Sequence, residues 1–469
     1  MTSPAAVGLR SERGPVLLAV MVSTGLVAID ATVVATAVPS IVADLGGYEA
    51  FPWLFSIYLL AQSVLTPVYS KLADQLGRKP VLLLGIAVFL VSSVLCGAAW
   101  DMPSLIVFRA LQGVGAGAIL PMTITIVGDI YTLEERARVQ GYVASVWGAS
   151  SVIGPTLGGL FAQFDIWRWI FFINVPLCVL AYVLIARAYH ERLERRDHRI
   201  DWAGAALLTV GLALLLLGVL EGGVAWAWDS PVSLAVFAGG AVFMLLFVLV
   251  ERRAPEPVLP LWIFTRPVVA STALLNLILG GVLIGYTAYI PTYLEGSAGA
   301  TPLLAGLALA TLTLGWPVAA ALSGRLYLRF GFRPVIIGGT ALVLVAAVAI
   351  ALVARWPSIP LVAVILFAAG LGFGFAAVPS LVAVQSSVAW EERGVASGTV
   401  MFARSIGQAV LAAAMGAIAN GIAASRGGDV HAAGTVIASS TAVFTASAVC
   451  AGAMFGLAFL LPRRGRDRA

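Results

Sequence analysis

Residues 148–159 read Gly-Ala-Ser-Ser-Val-Ile-Gly-Pro-Thr-Leu-Gly-Gly, within an apolar stretch long enough to cross a bilayer. Glycine costs about 1 kcal/mol relative to alanine inside a helix, and an interior proline removes a backbone hydrogen bond and kinks the helix. Two interpretations account for this composition. Gly154 and Gly158 form a small-xxx-small face that lets a neighbouring membrane helix approach closely. Alternatively, a bend at Pro155 helps to seal one side of a transport pathway.

The composition of the whole chain is that of an all-α polytopic membrane protein. The 469 residues are 60% hydrophobic and 11% charged, whereas a soluble domain carries about 25% charged residues. Charge-free runs such as 231–250 and 334–354 reach the ~20 residues that span the hydrocarbon core. We predict fourteen spans, and leave thirteen or fifteen open because the longest runs can hold a helix plus a re-entrant end. The predicted extents are 16–39, 52–70, 80–99, 104–127, 139–163, 169–189, 202–221, 231–250, 267–293, 302–324, 334–354, 358–385, 396–424 and 435–461.

The distribution of basic residues gives an orientation. With fourteen spans and a cytoplasmic N-terminus, all but five of the 28 Lys and Arg fall on the cytoplasmic side, as the positive-inside rule requires. We therefore predict that both termini are cytoplasmic, and the near-exclusive use of Arg over Lys favours a bacterial plasma (inner) membrane. The net charge of +5 reflects this orientation, so we expect no nucleic-acid partner. The five exceptions are Arg109, Arg168, Arg355, Arg404 and Arg426.

Two stretches recur along the chain. Ser70–Pro80 aligns with Gly324–Pro334 at an offset of 254, and Glu135-Arg136 aligns with Glu392-Arg393 at an offset of 257. This offset exceeds what six spans need and leaves room for two extra helices between the halves. Two parallel repeats are the arrangement of a carrier that works by alternating access. The predicted domains are an N-terminal six-helix bundle in residues 1–200, an inserted two-helix hairpin with a cytoplasmic linker in 201–265, and a C-terminal six-helix bundle in 266–469.

Two charges fall inside predicted spans of the first half. Asp30 lies in the middle of the first span, where a carboxylate costs roughly 2.5–3.5 kcal/mol on insertion scales. We interpret Asp30 as a proton-coupling residue; the alternative is a structural hydrogen bond near the outer end of the helix. Arg109, in the fourth span, keeps its charge at any reachable pH and would oppose Asp30 or tune it. The alternative for Arg109 is helix packing through backbone carbonyls.

The loop at Ser70–Pro80 places one acid beside two bases in a tight turn. Such a turn can hold neighbouring helix ends through charge and capping, and we predict a cytoplasmic gate there. The alternative is an ordinary basic loop of a membrane protein. Leu328 stands in the second copy where Asp74 stands in the first, so the two gates are not equivalent. The predicted gate residues are Asp74, Gly77, Arg78, Lys79, Glu135 and Arg136.

The second half holds polar and aromatic residues that could line a cavity, although aromatic residues in membrane helices are most often packing or interface residues. Spans nine to fourteen contain no Asp, Glu or His at mid-membrane, and we interpret Arg404 as snorkelling to the cytoplasmic interface. The sequence has no Walker A loop, so active transport would draw on an ion gradient. We expect no enzyme activity, no cofactor and no metal. The predicted cavity residues are Asn276, Tyr286, Tyr289, Trp316, Phe375, Gln385 and Gln408.

These motifs together resemble the major facilitator superfamily, in particular its fourteen-span drug:proton antiporter family. The string at 148–159 matches the antiporter motif GxxxxxGPxxGG of the fifth helix, and Asp30 lies in a stretch similar to the first-helix motif. The resemblance implies proton coupling through Asp30 and Arg109, and gating through Asp74 and Arg78. Ser70, Gln75 and Ala35 replace the usual glycine, arginine and asparagine of these signatures. The residues that carry the antiporter motif are Gly148, Gly154, Pro155, Gly158 and Gly159.

The resemblance implies a proton-coupled secondary exporter of lipophilic or cationic compounds, drugs among them, that works by alternating access. Family members that expel divalent cations often have an extra acid in the second half, which this chain lacks. The expected cargo is therefore monovalent cationic, neutral or amphiphilic. Two alternatives are an exporter of one endogenous metabolite, lipid or siderophore, and a non-transporting membrane sensor. We expect lipophilic small molecules and membrane lipid as partners, the proton as coupling ion, and a functional monomer.

Overall fold

The computed structural model describes residues 8–131, 133–191, 201–255, 257–259, 261, 265–388, 392–426 and 432–462. These residues confirm the all-helical fold: fourteen membrane-length helical segments, of which the sixth is broken into α6 and α7. Thirteen segments are long and apolar enough to cross a membrane by length and composition, and the Gly- and Ser-rich α5 is the fourteenth. The helices are α1 Gly14–Leu45, α2 Trp53–Leu76, α3 Arg78–Gly97, α4 Met102–Ile130, α5 Leu133–Gln163, α6 Trp169–Phe172, α7 Asn174–Ala188, α8 Trp202–Glu221, α9 Pro231–Glu251, α10 Pro267–Ala298, α11 Pro302–Phe330, α12 Phe332–Val353, α13 Ile359–Ser386, α14 Arg393–Ser425 and α15 Ala433–Ala458.

Interior prolines do not end the helices of this chain. The first span was predicted to end at Pro39, yet α1 continues to Leu45 with Pro39 inside it. Pro155 lies inside α5 and Pro317 inside α11, within the spans predicted for them. In a membrane bundle, neighbouring helices and local adjustments compensate the backbone group that a proline frees, so the helix can continue.

Single glycines separate two pairs of consecutive helices. Gly77 links α2 to α3 with a φ of 102°, and Gly331 links α11 to α12 with a φ of 91°. Only glycine adopts this left-handed region without steric cost. The two positions are 254 residues apart, so the predicted internal repeat reappears as the same sharp turn in both halves.

The helix contacts repeat along the chain as well. In the first half, α1 packs on α5 and α7, and the corresponding α10 of the second half packs on α14 and α15. Likewise, α4 packs on α2 and α3, and the corresponding α13 packs on α11 and α12. The first set of helices contacts the second mainly through α5 on α11, α2 on α14, and α1 on α10. The exact limits of the three domains, at residues 200 and 265, stay a prediction.

The two inserted helices lie to one side of this arrangement. Helix α8 packs on α9 and also on both α2 and α14, where its leucines join one apolar cluster with Leu60 and Ala413. Trp53 at the start of α2 donates a hydrogen bond from Nε1 to Glu221 Oε1 at 3.0 Å, at the end of α8. Helix α8 therefore contacts both halves, and α9 lies outside it.

The apolar core is distributed unequally between the two ends of the molecule. We call the face at the C-terminal end of α1 the Leu45 side and the opposite face the Gly14 side. The largest apolar cluster joins both halves, but its members from the first half, such as Val38 and Phe51, all lie toward the Leu45 side. Toward the Gly14 side, the first half has a separate cluster that includes Val16 and Ile126. The second half has a small one there, formed by Val269, Val384, Val388, Ala396 and Val400. The halves are thus packed together on the Leu45 side.

Candidate functional site

Asp30 lies near the middle of the 32-residue α1 and is fully buried. This position is far from either end of the helix. Its carboxylate Oδ2 accepts a hydrogen bond from Arg109 Nη1 at 2.8 Å, and both side chains are at most 2% exposed. The structure therefore brings together, as one buried ion pair, the two residues to which the sequence assigns proton coupling.

Two amide side chains complete the surroundings of Asp30. Gln112 Nε2 donates to Asp30 Oδ1 at 2.9 Å, and Gln112 Oε1 accepts from Arg109 Nη1 at 2.6 Å. Asn174, the first residue of α7, donates from Nδ2 to the same Asp30 Oδ1 at 3.1 Å. The carboxylate thus accepts three hydrogen bonds from buried donors, which compensates its charge in a region remote from bulk water.

Arg109 is held by two further groups on α2. Its Nε donates to the carbonyl of Leu54 at 3.2 Å, and its guanidinium carbon lies 4.1 Å from the ring centroid of Tyr58. A cation over an aromatic face is attracted by the ring quadrupole, more strongly when desolvated. Helices α1, α2, α4 and α7 therefore meet around a single pair of charges, together with Ser93 of α3, which accepts from Gln112 at 2.9 Å.

Sequence reasoning assigned no role to Gln112 and Asn174, although both are completely buried. Asn174 follows the apolar run Trp169–Ile173, and a lone amide in such a run is itself a signal because an unpaired amide is costly in a membrane. The spacing of three residues between Arg109 and Gln112 puts both on one face of α4. These two signals would have completed the site.

The turn between α2 and α3 carries the predicted gate residues on the Gly14 side. Arg78 Nε lies 3.3 Å from Asp129 Oδ2, at the end of α4. The Glu191 carboxylate accepts from the backbone N–H of Arg78 at 2.7 Å and of Lys79 at 3.0 Å. It thereby satisfies the first N–H groups of α3 and complements the helix dipole. Asp129 and Glu191 are gate partners that sequence reasoning missed.

Glu135 contacts the start of α1. Its carboxylate accepts from Arg13 at 2.6 Å and 3.0 Å, and Arg13 also donates to the carbonyl of Ile130 at 2.9 Å. The hydrogen bond to Glu135 raises the pKa of Arg13 above its usual value. This pair joins the beginnings of α1 and α5. The side chains of the predicted gate residues Asp74 and Arg136 lie outside the described residues.

The second half contains the corresponding ion pair. Arg266, just before α10, lies 3.5 Å from Glu392 Oε1, just before α14. Because α10 and α14 occupy the positions of α1 and α5 in the repeat, this contact matches that of Arg13 with Glu135. The repeat of Glu135 and Glu392 was visible in the sequence, and its structural meaning is the arginine that each one binds.

The glycines of α5 that belong to the string at 148–159 face two different helices. The space that a Cβ at Gly154 would need is taken by the Thr32 hydroxyl, and at Gly158 by the Thr36 hydroxyl. Both threonines lie on α1. These two glycines therefore permit the close packing of α5 on α1, as the first interpretation of the string requires.

The other members of the string face α11 in the second half. Gly159 lies against the start of α11, and a Cβ at Gly148 would lie 3.7 Å from Pro317 in its middle. The carbonyl of Pro155 lies directly against Gly306. The motif therefore also forms part of the contact between the halves, which is where a seal would have to lie. Its role in sealing stays a prediction.

Two of the seven predicted cavity residues join helices instead. Asn276 is buried and donates from Nδ2 to Ser380 Oγ at 3.0 Å, which links α10 to α13. Gln385 Nε2 donates to Ser397 Oγ at 3.0 Å, which links α13 to α14. Their amides are thus engaged within the second half.

The other five predicted cavity residues differ in exposure. Tyr286 and Tyr289 are buried, and within the described part of the chain their hydroxyls have no hydrogen-bond partner. Trp316, Phe375 and Gln408 are partly exposed. Gln385 is partly exposed as well, so four of the seven predicted residues have side chains that are not fully buried.

Arg404 differs from its prediction. Its guanidinium carbon lies 5.9 Å from the ring centroid of Trp316, which is in the middle of the 29-residue α11. The side chain therefore extends along the level of the helix centres and does not snorkel to the membrane surface. The apolar length of its stem permits either direction, so hydropathy alone could not distinguish them.

A multi-span helical fold of two similarly packed halves, with a buried charge pair in one of them, defines a membrane carrier. The chain belongs to the Major Facilitator Superfamily, whose sequence profile matches residues 20–412. Its relatives and fold neighbours are transporters, so the suspected family is confirmed. Within the described residues, no group of three or more His, Cys, Asp or Glu is placed to hold a metal ion.

Several similar proteins are named as multidrug or efflux proteins. The chain is 34% identical over 414 residues to "Multidrug transporter protein MdtP" of Bacillus subtilis (strain 168), covering 88% of this chain and 76% of that protein. It is 35% identical over 399 residues to "Multidrug resistance protein 3" of the same organism, covering 84% and 77%. The fold matches the crystal structure of a POT family transporter in complex with 5-aminolevulinic acid, with a TM-score of 0.71, 12% identity and 97% of each chain covered. The chain is thus a multi-pass membrane transporter of the efflux type.

Proposed function

We propose that this efflux transporter is a proton-coupled antiporter that exports lipophilic compounds by alternating access. The observation that carries the proposal is the fully buried contact of 2.8 Å between Asp30 and Arg109. Arg109 keeps its charge at any reachable pH, so Asp30 is the member of the pair that binds and releases the proton. The names of the two Bacillus relatives, a multidrug transporter and a multidrug resistance protein, support drugs as cargo.

Protonation of Asp30 changes the balance of charge around Arg109. Removing one partner of a buried ion pair costs about 3–5 kcal/mol, because the remaining charge is uncompensated. Arg109 would then retain Gln112 Oε1, the Leu54 carbonyl and the Tyr58 ring. The protonated state therefore favours a rearrangement of α1 against α4 that gives the guanidinium water or another acceptor.

Helix α1 connects this site to the contact between the halves. Thr32 lies two residues after Asp30 and packs against Gly154 of α5. The carbonyl of Pro155, the next residue, lies against Gly306 of α11 in the second half. A shift of α1 on protonation would thus be transmitted through α5 to α11, and this is how proton binding would change the accessible side.

We assign the Gly14 side to the cytoplasm, with both termini on that side of a bacterial plasma membrane. The halves, residues 1–200 and 266–469, would rock about the site, with the monomer as the functional unit. In the conformation described, the shared apolar core lies toward the Leu45 side, which corresponds to a carrier closed to the outside. Cargo then enters from the cytoplasm or the membrane lipid, and Asp30 gains its proton after the halves open outward.

Proteoliposomes with an imposed pH gradient test the coupling. We expect Asp30→Asn to abolish gradient-driven efflux of a panel of lipophilic dyes, down to the rate seen with an uncoupler. The matched control is Asp44→Asn, because Asp44 lies on the same helix but is 47% exposed and pairs with Arg168 at the surface. Undiminished gradient-driven efflux in Asp30→Asn would refute the proposal. A single transported dye or metabolite would instead favour an exporter of one specific compound.

A further inference from the structure

Arg404 is a charge within a membrane-length helix that the mechanism above leaves unused. It is about one third of the way along the 33-residue α14, so with a rise of 1.5 Å per residue its Cα lies roughly 17 Å from the helix start. The guanidinium carbon lies 5.9 Å from the ring centroid of Trp316, near the middle of α11. A charge held at this depth needs a partner or water.

No acidic partner of Arg404 is found in the described part of the chain, and its side chain makes no hydrogen bond there. Among the described residues, Asp30 is the one carboxylate near the middle of a membrane-length helix, and Arg109 already binds it. Arg404 is nevertheless partly exposed. Arg404 is therefore a partly exposed cation that no carboxylate among the described residues neutralises.

The position of Arg404 on α14 follows from its neighbours. Gly407 packs closely on α10, and the carbonyl of Ala409 accepts a hydrogen bond from Ser56 of α2 at 3.1 Å. With 3.6 residues per turn, Arg404 and Gln408 share one face of α14. The carbonyl and Cγ of Arg404 lie against Gly280 of α10, and its guanidinium extends from there to Trp316 of α11.

An aromatic surface adjoins the guanidinium. Trp316 stacks on Phe373 with ring centroids 6.0 Å apart and an interplanar angle of 27°, and Phe373 contacts Tyr286 at 6.3 Å. Phe373 and Tyr286 belong to the apolar core that closes the Leu45 side, whereas Trp316 is partly exposed at the edge of that core. A flat apolar group can therefore lie on Trp316 while a polar group meets Arg404.

We propose that Arg404, Trp316 and Gln408 bind an amphiphilic aromatic cargo that carries one anionic group, such as a carboxylate or a sulfonate. The guanidinium would bind the anion by charge-assisted hydrogen bonds, which are stronger than neutral ones. The Gln408 amide, one turn away, supplies a further donor, and the Trp316 ring supports the apolar body. The sequence led us to expect monovalent cationic, neutral or amphiphilic cargo. An anionic amphiphile narrows that range, because no acidic side chain within the described residues is available to neutralise a cation beside Arg404.

The inference rests on the proposed function, because it names the cargo of the proposed exporter. Its test measures binding alone. Equilibrium binding to the purified protein is measured with three probes that share one pyrene body: pyrenebutyrate, pyrenebutanol and pyrenebutyl-trimethylammonium. We expect pyrenebutyrate to bind about tenfold more tightly than the alcohol, and the ammonium probe to bind most weakly. Equal affinities, or a preference for the ammonium probe, would overturn the inference.

Substitutions at position 404 test whether the preference for the anionic probe depends on Arg404. In Arg404→Gln the ratio of the anion to the alcohol affinity should fall to about one while the alcohol still binds, since only the charge is removed. Arg404→Lys should keep part of the preference. The control Arg355→Gln removes an exposed arginine outside the helices and should leave the ratio unchanged. A full preference retained in Arg404→Gln would contradict the assignment. Binding is measured without a pH gradient. A negative result in the antiport experiment would therefore not decide the outcome of the binding experiment.

Discussion

The Thr32 hydroxyl occupies the space that a side chain at Gly154 would need. Thr32 is two residues after Asp30 on α1. The contact therefore brings the glycine-rich string of α5 close to the buried carboxylate of Asp30. Packing of α5 on α1 and the proton site are therefore parts of one region of the first half. The close approach explains why a helix that contains five glycines and a proline is still stable where it lies.

Gly154→Ala should destabilise the protein, because the added Cβ overlaps the Thr32 hydroxyl. Overpacking of this kind costs about 1–3 kcal/mol, which we expect as a lower unfolding midpoint in detergent and as proton leak in vesicles. The control is Gly421→Ala on α14, where nothing lies within 4 Å of the added Cβ. The double variant with Thr32→Ala should regain most of the lost stability. A Gly154→Ala protein as stable as the Gly421→Ala protein would contradict the packing described.

Asn174→Ala should change the pH dependence of transport as well as its rate. Asn174 donates one of the three hydrogen bonds to the Asp30 carboxylate at 3.1 Å. Hydrogen bonds to the charged form favour that form, so their loss should shift the pH profile of efflux toward higher pH. Asn276→Ala removes an equally buried asparagine from the second half. That variant should alter the rate without moving the profile, and identical profiles for both variants would refute a role for Asn174 at the proton site.

Arg13 and Glu135 should be coupled energetically, but weakly. Their side chains are 30% and 16% exposed, and ion pairs near a surface are worth about 0.2–1 kcal/mol. A double-mutant cycle with Arg13→Gln and Glu135→Gln, followed by thermal unfolding, measures this coupling. It should shrink as salt is raised, because screening acts on exposed charges. A coupling above that range, insensitive to salt, would show that the pair is not solvated as described.

Composition and hydropathy were sufficient for the fold, since membrane helices must satisfy their backbone groups internally and therefore leave long apolar runs. The limits of helices were less predictable. Pro39 ends the apolar run but not α1, because whether a proline ends a membrane helix depends on its neighbours. The break at Ile173 between α6 and α7 was also missed, since the run from Trp169 to Pro176 is apolar apart from Asn174.

The candidate site was predictable only in part. Asp30 and Arg109 are conspicuous because charges are rare in spans, whereas Gln112 and Asn174 are neutral and their role appears only when α1, α4 and α7 meet. Arg404 was visible as a charge, but the direction of its long side chain depends on the position of Trp316. The periodicity along one helix can be read from its own sequence. The distances between residues on different helices depend on how the helices pack, which the sequence of one helix does not determine.

The placement of α8 has a consequence for how the bilayer meets this carrier. On one edge, α8 packs on both α2 and α14, with α9 outside it, so these helices stand between the lipid and the seam of the two halves. On the opposite edge, the seam consists of α5 and α11. A hydrophobic molecule diffusing in the leaflet on the Gly14 side therefore meets two unequal edges, one covered by α8 and α9 and one formed by α5 and α11 alone.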